Sequence, residues 1–171
     1  GSILSFCAKW AGDDKVIYKD QRGKEKNLMN DKAIMQELWK LMDEADIIVG
    51  QNSNKFDLPK INARFIAHGL GAPSSYKKID TLLLARSNFS FFSNKLQHLS
   101  GMFSKTKKDS HKEFPGFTLW DQCLKGNKKA WESMRKYNIV DVLALEEVLL
   151  ALAPYIKNNK TITAAMRVYN K

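Results

Sequence analysis

Two short segments hold residues whose types and spacing suit chemistry. The first is Gly50-Gln51-Asn52-Ser53-Asn54-Lys55-Phe56-Asp57, and the second is Tyr137-Asn138-Ile139-Val140-Asp141. Asp57 follows the apolar run Ile47-Ile48-Val49 and precedes Pro59. The C-terminal ends of parallel strands are where α/β folds build sites, and an acid there is also favoured by the dipole of the next helix. A plain helix-capping role is the competing reading for Asp57. In the second segment, Tyr137, Asp141, Leu145, Val148 and Leu152 recur at helical steps and share one face. A carboxylate in the middle of an apolar stripe is costly unless something pairs with it. Arg135 and Lys136 point elsewhere on such a helix, so a metal ion or a cation from another element would resolve the cost. The alternative is an aspartate at the stripe's edge that reaches water.

The elements that must carry these residues are legible in outline. Ile3 to Ala11 reads as a strand, Gly12 to Lys15 as a tight turn, and Val16 to Lys19 as the returning strand. Asn30 is placed to cap a helix running to about Ala45, with Ile34, Met35, Leu38, Trp39, Leu41 and Met42 at helical spacing. Ile47-Ile48-Val49 reads as a strand buried on both faces. Pro59 suits the first turn of a helix ending near Gly69. The run from Ile79 to Arg86 is a strand, or a strand turning into helix. Ser93 is placed to cap a helix carrying Leu96 and Leu99, and Asn127 one carrying Trp131 and Met134. A last helix is expected from about Tyr137 to Ala153, where Pro154 stops it. The order predicts a single α/β domain over residues 1–171, with an antiparallel hairpin on one side of a mixed sheet and parallel strands on the other.

The chain has 171 residues and a formal net charge of +10, with a sequence pI of about 9.6. That balance favours an acidic partner such as a nucleic acid, against the plainer reading of a solvated lysine-rich surface. No run approaches the ~18 apolar residues of a membrane span, and no signal-peptide pattern opens the chain. Cys7 and Cys123 are isolated from each other and from His68, His98 and His111, which argues against a zinc site. Two reduced thiols in a cytoplasmic protein is the expectation. Gly1-Ser2 reads as a cloning scar.

Taken together, the two segments resemble the second and third motifs of the tyrosine-type branch of the DnaQ-like (DEDD) 3′-5′ exonucleases. These have a ribonuclease H-like fold and include the proofreading domains of family B DNA polymerases and stand-alone relatives. Asn52, Phe56 and Asp57 match the pattern Asn-x-x-x-Phe-Asp, and Tyr137 and Asp141 match Tyr-x-x-x-Asp. Lys136 stands where the histidine-type branch would need His. The hairpin, Ile79-Asp80-Thr81-Leu82 and Ser93-Asn94-Lys95-Leu96 extend the likeness over most of the chain.

The resemblance implies that Asp57 and Asp141 bind two Mg²⁺ or Mn²⁺ ions about 4 Å apart. It implies that Tyr137 orients the attacking water, that Asn52 bonds near the terminal nucleotide, and that Phe56 presses on the terminal sugar or base. For Phe56, core packing is the equal alternative. Lys95 and the run Lys105, Lys107, Lys108 and Lys112 would contact phosphates, although a solvated loop is the preferred reading of that run. Single-stranded DNA 3′ ends are the expected substrate, with RNA the alternative.

The family's first motif, Asp-x-Glu on a central first strand just before the hairpin, occurs nowhere in the sequence. Asp43-Glu44 and Glu146-Glu147 have the wrong spacing, and Asp80 reads as structural. The sheet is therefore expected to lack its usual first central strand, leaving a gap with two unpaired edges. A complementing polypeptide, or a strand-swapped homo-oligomer, would fill that gap. A degenerate relative that binds nucleic acid or serves assembly without cleaving is the third reading. Little or no nuclease activity is expected of these residues alone.

Overall fold

The computed structural model describes residues 1–103, 105–106 and 113–170. Strand β1 (Ser5–Lys9) runs antiparallel to β2 (Val16–Asp20), with Cys7 opposite Tyr18. Helix α1 (Lys32–Glu44) follows, then β3 (Ile47–Gly50), α2 (Asp57–Ala67) and β4 (Lys77–Asp80). Strand β4 pairs parallel with β3, which places Val49 opposite Ile79 and Gly50 opposite Asp80. The rest is helical: α3 (Thr81–Asn88), α4 (Leu96–Phe103), α5 (Thr118–Leu124), α6 (Lys128–Leu152) and α7 (Lys160–Met166). The expected α/β class with an antiparallel and a parallel part is what forms.

The two pairs of strands occupy one layer without joining. Side chains alternate across a strand, so each strand reports on both flanks. Phe6 of β1 and Ile48 of β3 both belong to the cluster built on Met35, Leu38 and Met42 of α1 and Leu58 and Phe65 of α2. On the opposite side, Ile47 and Val49 pack against a cluster to which α6 contributes Ala144, Val148 and Leu149. There Ser5 donates to Asn138 at 3.4 Å and Lys9 pairs with Glu146 at 2.5 Å, both acceptors again on α6. The sheets share their flanking helices, yet among the described residues no ladder connects them. This interruption also corrects the expectation that β3 is fully buried. Ile47, Ile48 and Val49 are all half-buried, because β3 is paired along one edge alone.

Three further expectations change. The N-cap of α1 is Asp31 rather than Asn30, and its side chain makes no capping bond. Asp31 is buried and instead receives Arg64 at 2.7 Å, the Ile3 N–H at 2.7 Å, and His68. The helices expected at Asn127 and at Tyr137 are one helix of 25 residues. No glycine or proline interrupts residues 128–152, and Asn127 caps the start by accepting from Lys129 and Ala130 N–H groups. Finally, α5 and α7 form where no helix was expected. Along α6, buried residues occur at Ala130, Trp131 and Met134 and again at Ala144, Val148, Leu149 and Leu152. None of residues 135–143 is buried.

Candidate functional site

The loop after β3 is built by three close fits. Gly50 is needed because a Cβ there would sit 2.5 Å from the Ser53 Cβ, so the chain doubles back tightly on itself. Asn52 adopts the left-handed region at φ +58°, which asparagine tolerates better than most residues. Asp80, at the end of the adjacent strand, is buried and accepts from the Asn52 N–H at 2.7 Å and the Asn54 N–H at 3.2 Å. It also accepts from the Leu82 N–H at 3.0 Å, capping α3. One carboxylate therefore holds the loop and the start of α3 together. Gln51 extends the link, donating to the Asn94 carbonyl at 2.8 Å and meeting the Thr81 hydroxyl. That contact brings the exposed Lys95 beside the loop.

Asp57 opens α2 and is exposed, and the N-cap position belongs to Phe56. Loss of hydration around the Asp57 carboxyl, then the charge of Asp80, push its pKa above the ordinary carboxylate range, with Lys60 opposing. A bound cation would relieve that cost. Phe56 is 58% exposed, which removes the core-packing reading. On α6, Asp141 is half-buried, with its Oδ1 shielded from solvent. It is thus less enclosed than the sequence pattern implied, and none of its helical neighbours from 135 to 143 is buried. Its charge reaches β1: burial first, then Asp141, pushes the Cys7 thiol up to about 11. Tyr137, one turn earlier, is half-buried against the cluster of Leu4, Trp131 and Met134.

The structure thus sets Asp141 close enough to β1 to act on Cys7, and Asp57 at the start of α2, past the loop that follows β3. Among the described residues no group of three or more His, Cys, Asp or Glu is arranged to hold a metal ion. Two carboxylates fit a hard cation in kind but not in number. The Glu146-Glu147 pair is used elsewhere. Glu146 takes Lys9, the Gly12 N–H and the Tyr169 hydroxyl, and Glu147 takes the N–H and hydroxyl of Thr106. Lys105 is exposed, while Lys107, Lys108 and Lys112 lie outside the described residues. Asp80 has the structural role expected of it, whereas sequence reasoning missed Gln51 as an organiser of the loop.

A family model described as the RNase_H superfamily matches residues 3–153. The chain belongs to the RNase_H superfamily. No curated protein and no solved structure matches it. The RNase_H match takes in both strand pairs and all of α6, hence every candidate residue named above, and leaves α7 beyond it. The mixed α/β architecture agrees with an RNase H-like fold. Among the described residues no helix is long and apolar enough to cross a membrane.

Proposed function

We propose that this chain is a metal-dependent 3′-5′ exonuclease of the tyrosine-type DnaQ-like branch, hydrolysing phosphodiesters at DNA ends. Its site is completed by an Asp-x-Glu strand from outside residues 1–171, such as one on another polypeptide. The observation that carries this reading is the interrupted central layer. An extended segment seated between β1 and β3 would pair two open edges at once. Its two acids, two residues apart, would share one face of the strand. Turned toward α6, they would join Asp141.

In the completed site Asp57 and Asp141 hold Mg²⁺ or Mn²⁺, which supply an activated water and a stabilised leaving oxygen when bound. Tyr137 orients the water from one turn below Asp141. Asn52, held by its backbone to Asp80, addresses the terminal nucleotide. The exposed Phe56 ring meets the terminal base or sugar, and Lys95 meets a phosphate. DNA is the proposed substrate, with RNA the alternative.

The test is digestion of a 3′-labelled single-stranded DNA oligonucleotide in Mn²⁺, with and without the polypeptide encoded immediately upstream. Digestion should appear with the complement and vanish in Asp57→Ala and Asp141→Ala. If the complemented protein leaves the oligonucleotide intact and Asp141→Ala changes nothing, the enzyme reading fails. Binding without digestion would then favour a non-catalytic nucleic-acid-binding module on the same fold.

A further inference from the structure

The surface beside Asp57 carries an alternation of rings and ammonium groups of which the proposed chemistry uses only Phe56. Phe56 and Lys60 are four residues apart at the start of α2 and therefore share a face. Lys55 Nζ stands 5.6 Å from the centroid of the Phe56 ring, and Lys60 Nζ stands 5.8 Å from that of Trp120 on α5. Phe117 lies three residues before Trp120, at the N-terminal end of α5. All three rings are open to solvent: Phe56 at 58%, Trp120 at 44% and Phe117 at 87%. Each of the three rings therefore has surface available to a ligand.

We propose that Trp120 and Phe117, with Lys60 between them and Phe56, form a stacking platform for single-stranded nucleic acid leading away from Asp57. Unpaired bases stack on aromatic faces whatever their sequence, and ammonium groups beside the rings meet the phosphates between them. A protein partner fits less well. The rings are interleaved with lysines rather than gathered into a patch, and the whole chain is at +10, which complements a polyanion. The exposed Asp121, next to Trp120, keeps phosphates on the lysine side. That the 3′ end of the strand lies at Asp57 rests on the nuclease reading; the platform itself does not.

The experiment is fluorescence anisotropy of a 5′-labelled 12-nucleotide oligo(dT), with matched RNA and duplex DNA probes, in EDTA so that no cleavage intervenes. The full chain should bind the single strands and bind the duplex more weakly. Trp120→Ala should weaken single-strand binding by about 5- to 100-fold, the range for loss of one stacked base, while Trp120→Phe should retain most of it. Phe117→Ala should act in the same direction. Lys60→Gln should lower the slope of log affinity against log salt by about 0.7. Quenching of tryptophan emission by the oligonucleotide should disappear in Trp120→Phe. Unchanged affinity in Trp120→Ala and Phe117→Ala, or an equal preference for duplex, overturns the platform. The assay runs in EDTA and reads binding alone, so a failed nuclease assay and a failed platform are read separately.

Discussion

Replacing Asp80 by alanine removes the acceptor of three backbone N–H groups in one step. Those of Asn52 and Leu82 both point at Oδ1, at 2.7 and 3.0 Å, and that of Asn54 points at Oδ2 at 3.2 Å. The side chain is 4% exposed, so water does not replace it while the loop stays closed. Hydrogen bonds to a charged acceptor contribute about 1.5–3 kcal/mol each, so simple addition would give about 5–9 kcal/mol. Opening the loop lets the freed N–H groups find water, and the loss expected for breaking one buried charged centre is about 3–5 kcal/mol. Asp80→Asn is the informative partner. It keeps Oδ1 for Asn52 and Leu82 but turns an NH₂ toward the Asn54 N–H, and should cost about 1–2 kcal/mol. Urea unfolding followed by far-ultraviolet circular dichroism reads both. With a slope of about 2 kcal/mol per molar, the alanine variant's midpoint should fall by about 1.5–2.5 M and the asparagine variant's by less than about 1 M. Equal midpoints for the two variants, or an alanine variant within about 0.5 kcal/mol of the parent, would refute the claim that this carboxylate holds the loop.

Gly50→Ala should cost about 1–3 kcal/mol in the same unfolding assay, because its Cβ meets Ser53, and Ser53→Gly in the same chain should recover part of the loss. For Asp31, burial raises the carboxyl pKa, but the hydrogen bonds from Arg64, the Ile3 N–H and His68 outweigh it and hold it below its ordinary value of 3.8. The folded value being depressed, this stabilisation is complete above the ordinary value and is lost as pH falls through the folded one. The urea midpoint should therefore drop below about pH 4 in the parent and respond less in Asp31→Asn, whose midpoint at pH 7 is already lower. Asp141→Asn removes a negative charge that holds the Cys7 thiol up. Iodoacetamide should alkylate Cys7 faster in that variant, with Cys123 as the unchanged internal standard.

The parts legible in the sequence were those with a residue-level signature. The wholly apolar Ile47-Ile48-Val49 announced β3, Pro59 the first turn of α2, and Asn127 the cap of α6. The strand-to-helix reading of Ile79–Arg86 matched β4 and α3. What the sequence hid were relations carried by the backbone. Asp80 acts through N–H groups, which any residue at 52, 54 and 82 would offer. The seven residues of α5 are too few for a periodic pattern to stand out, although Leu119 and Cys123 are spaced for it and both are buried. The two expected helices are one because no glycine or proline precedes Tyr137 on the helix. The missing Asp-x-Glu motif was legible as an absence. The open layer between β1 and β3 is its counterpart in three dimensions.

The single helix α6 behaves as a beam resting on two supports. Trp131 and Met134 seat its first half in one hydrophobic cluster, and Ala144, Val148 and Leu149 seat its second half in another. Tyr137 and Asp141 ride on the span between them. At 1.5 Å of rise per residue, Asp141 stands about 15 Å from Trp131 and about 10 Å from Val148. The two supports therefore help to place both groups, Tyr137 beside the first of them. Trimming either support would tilt the span and move both groups together, whereas changes beside them on the span would leave the beam level.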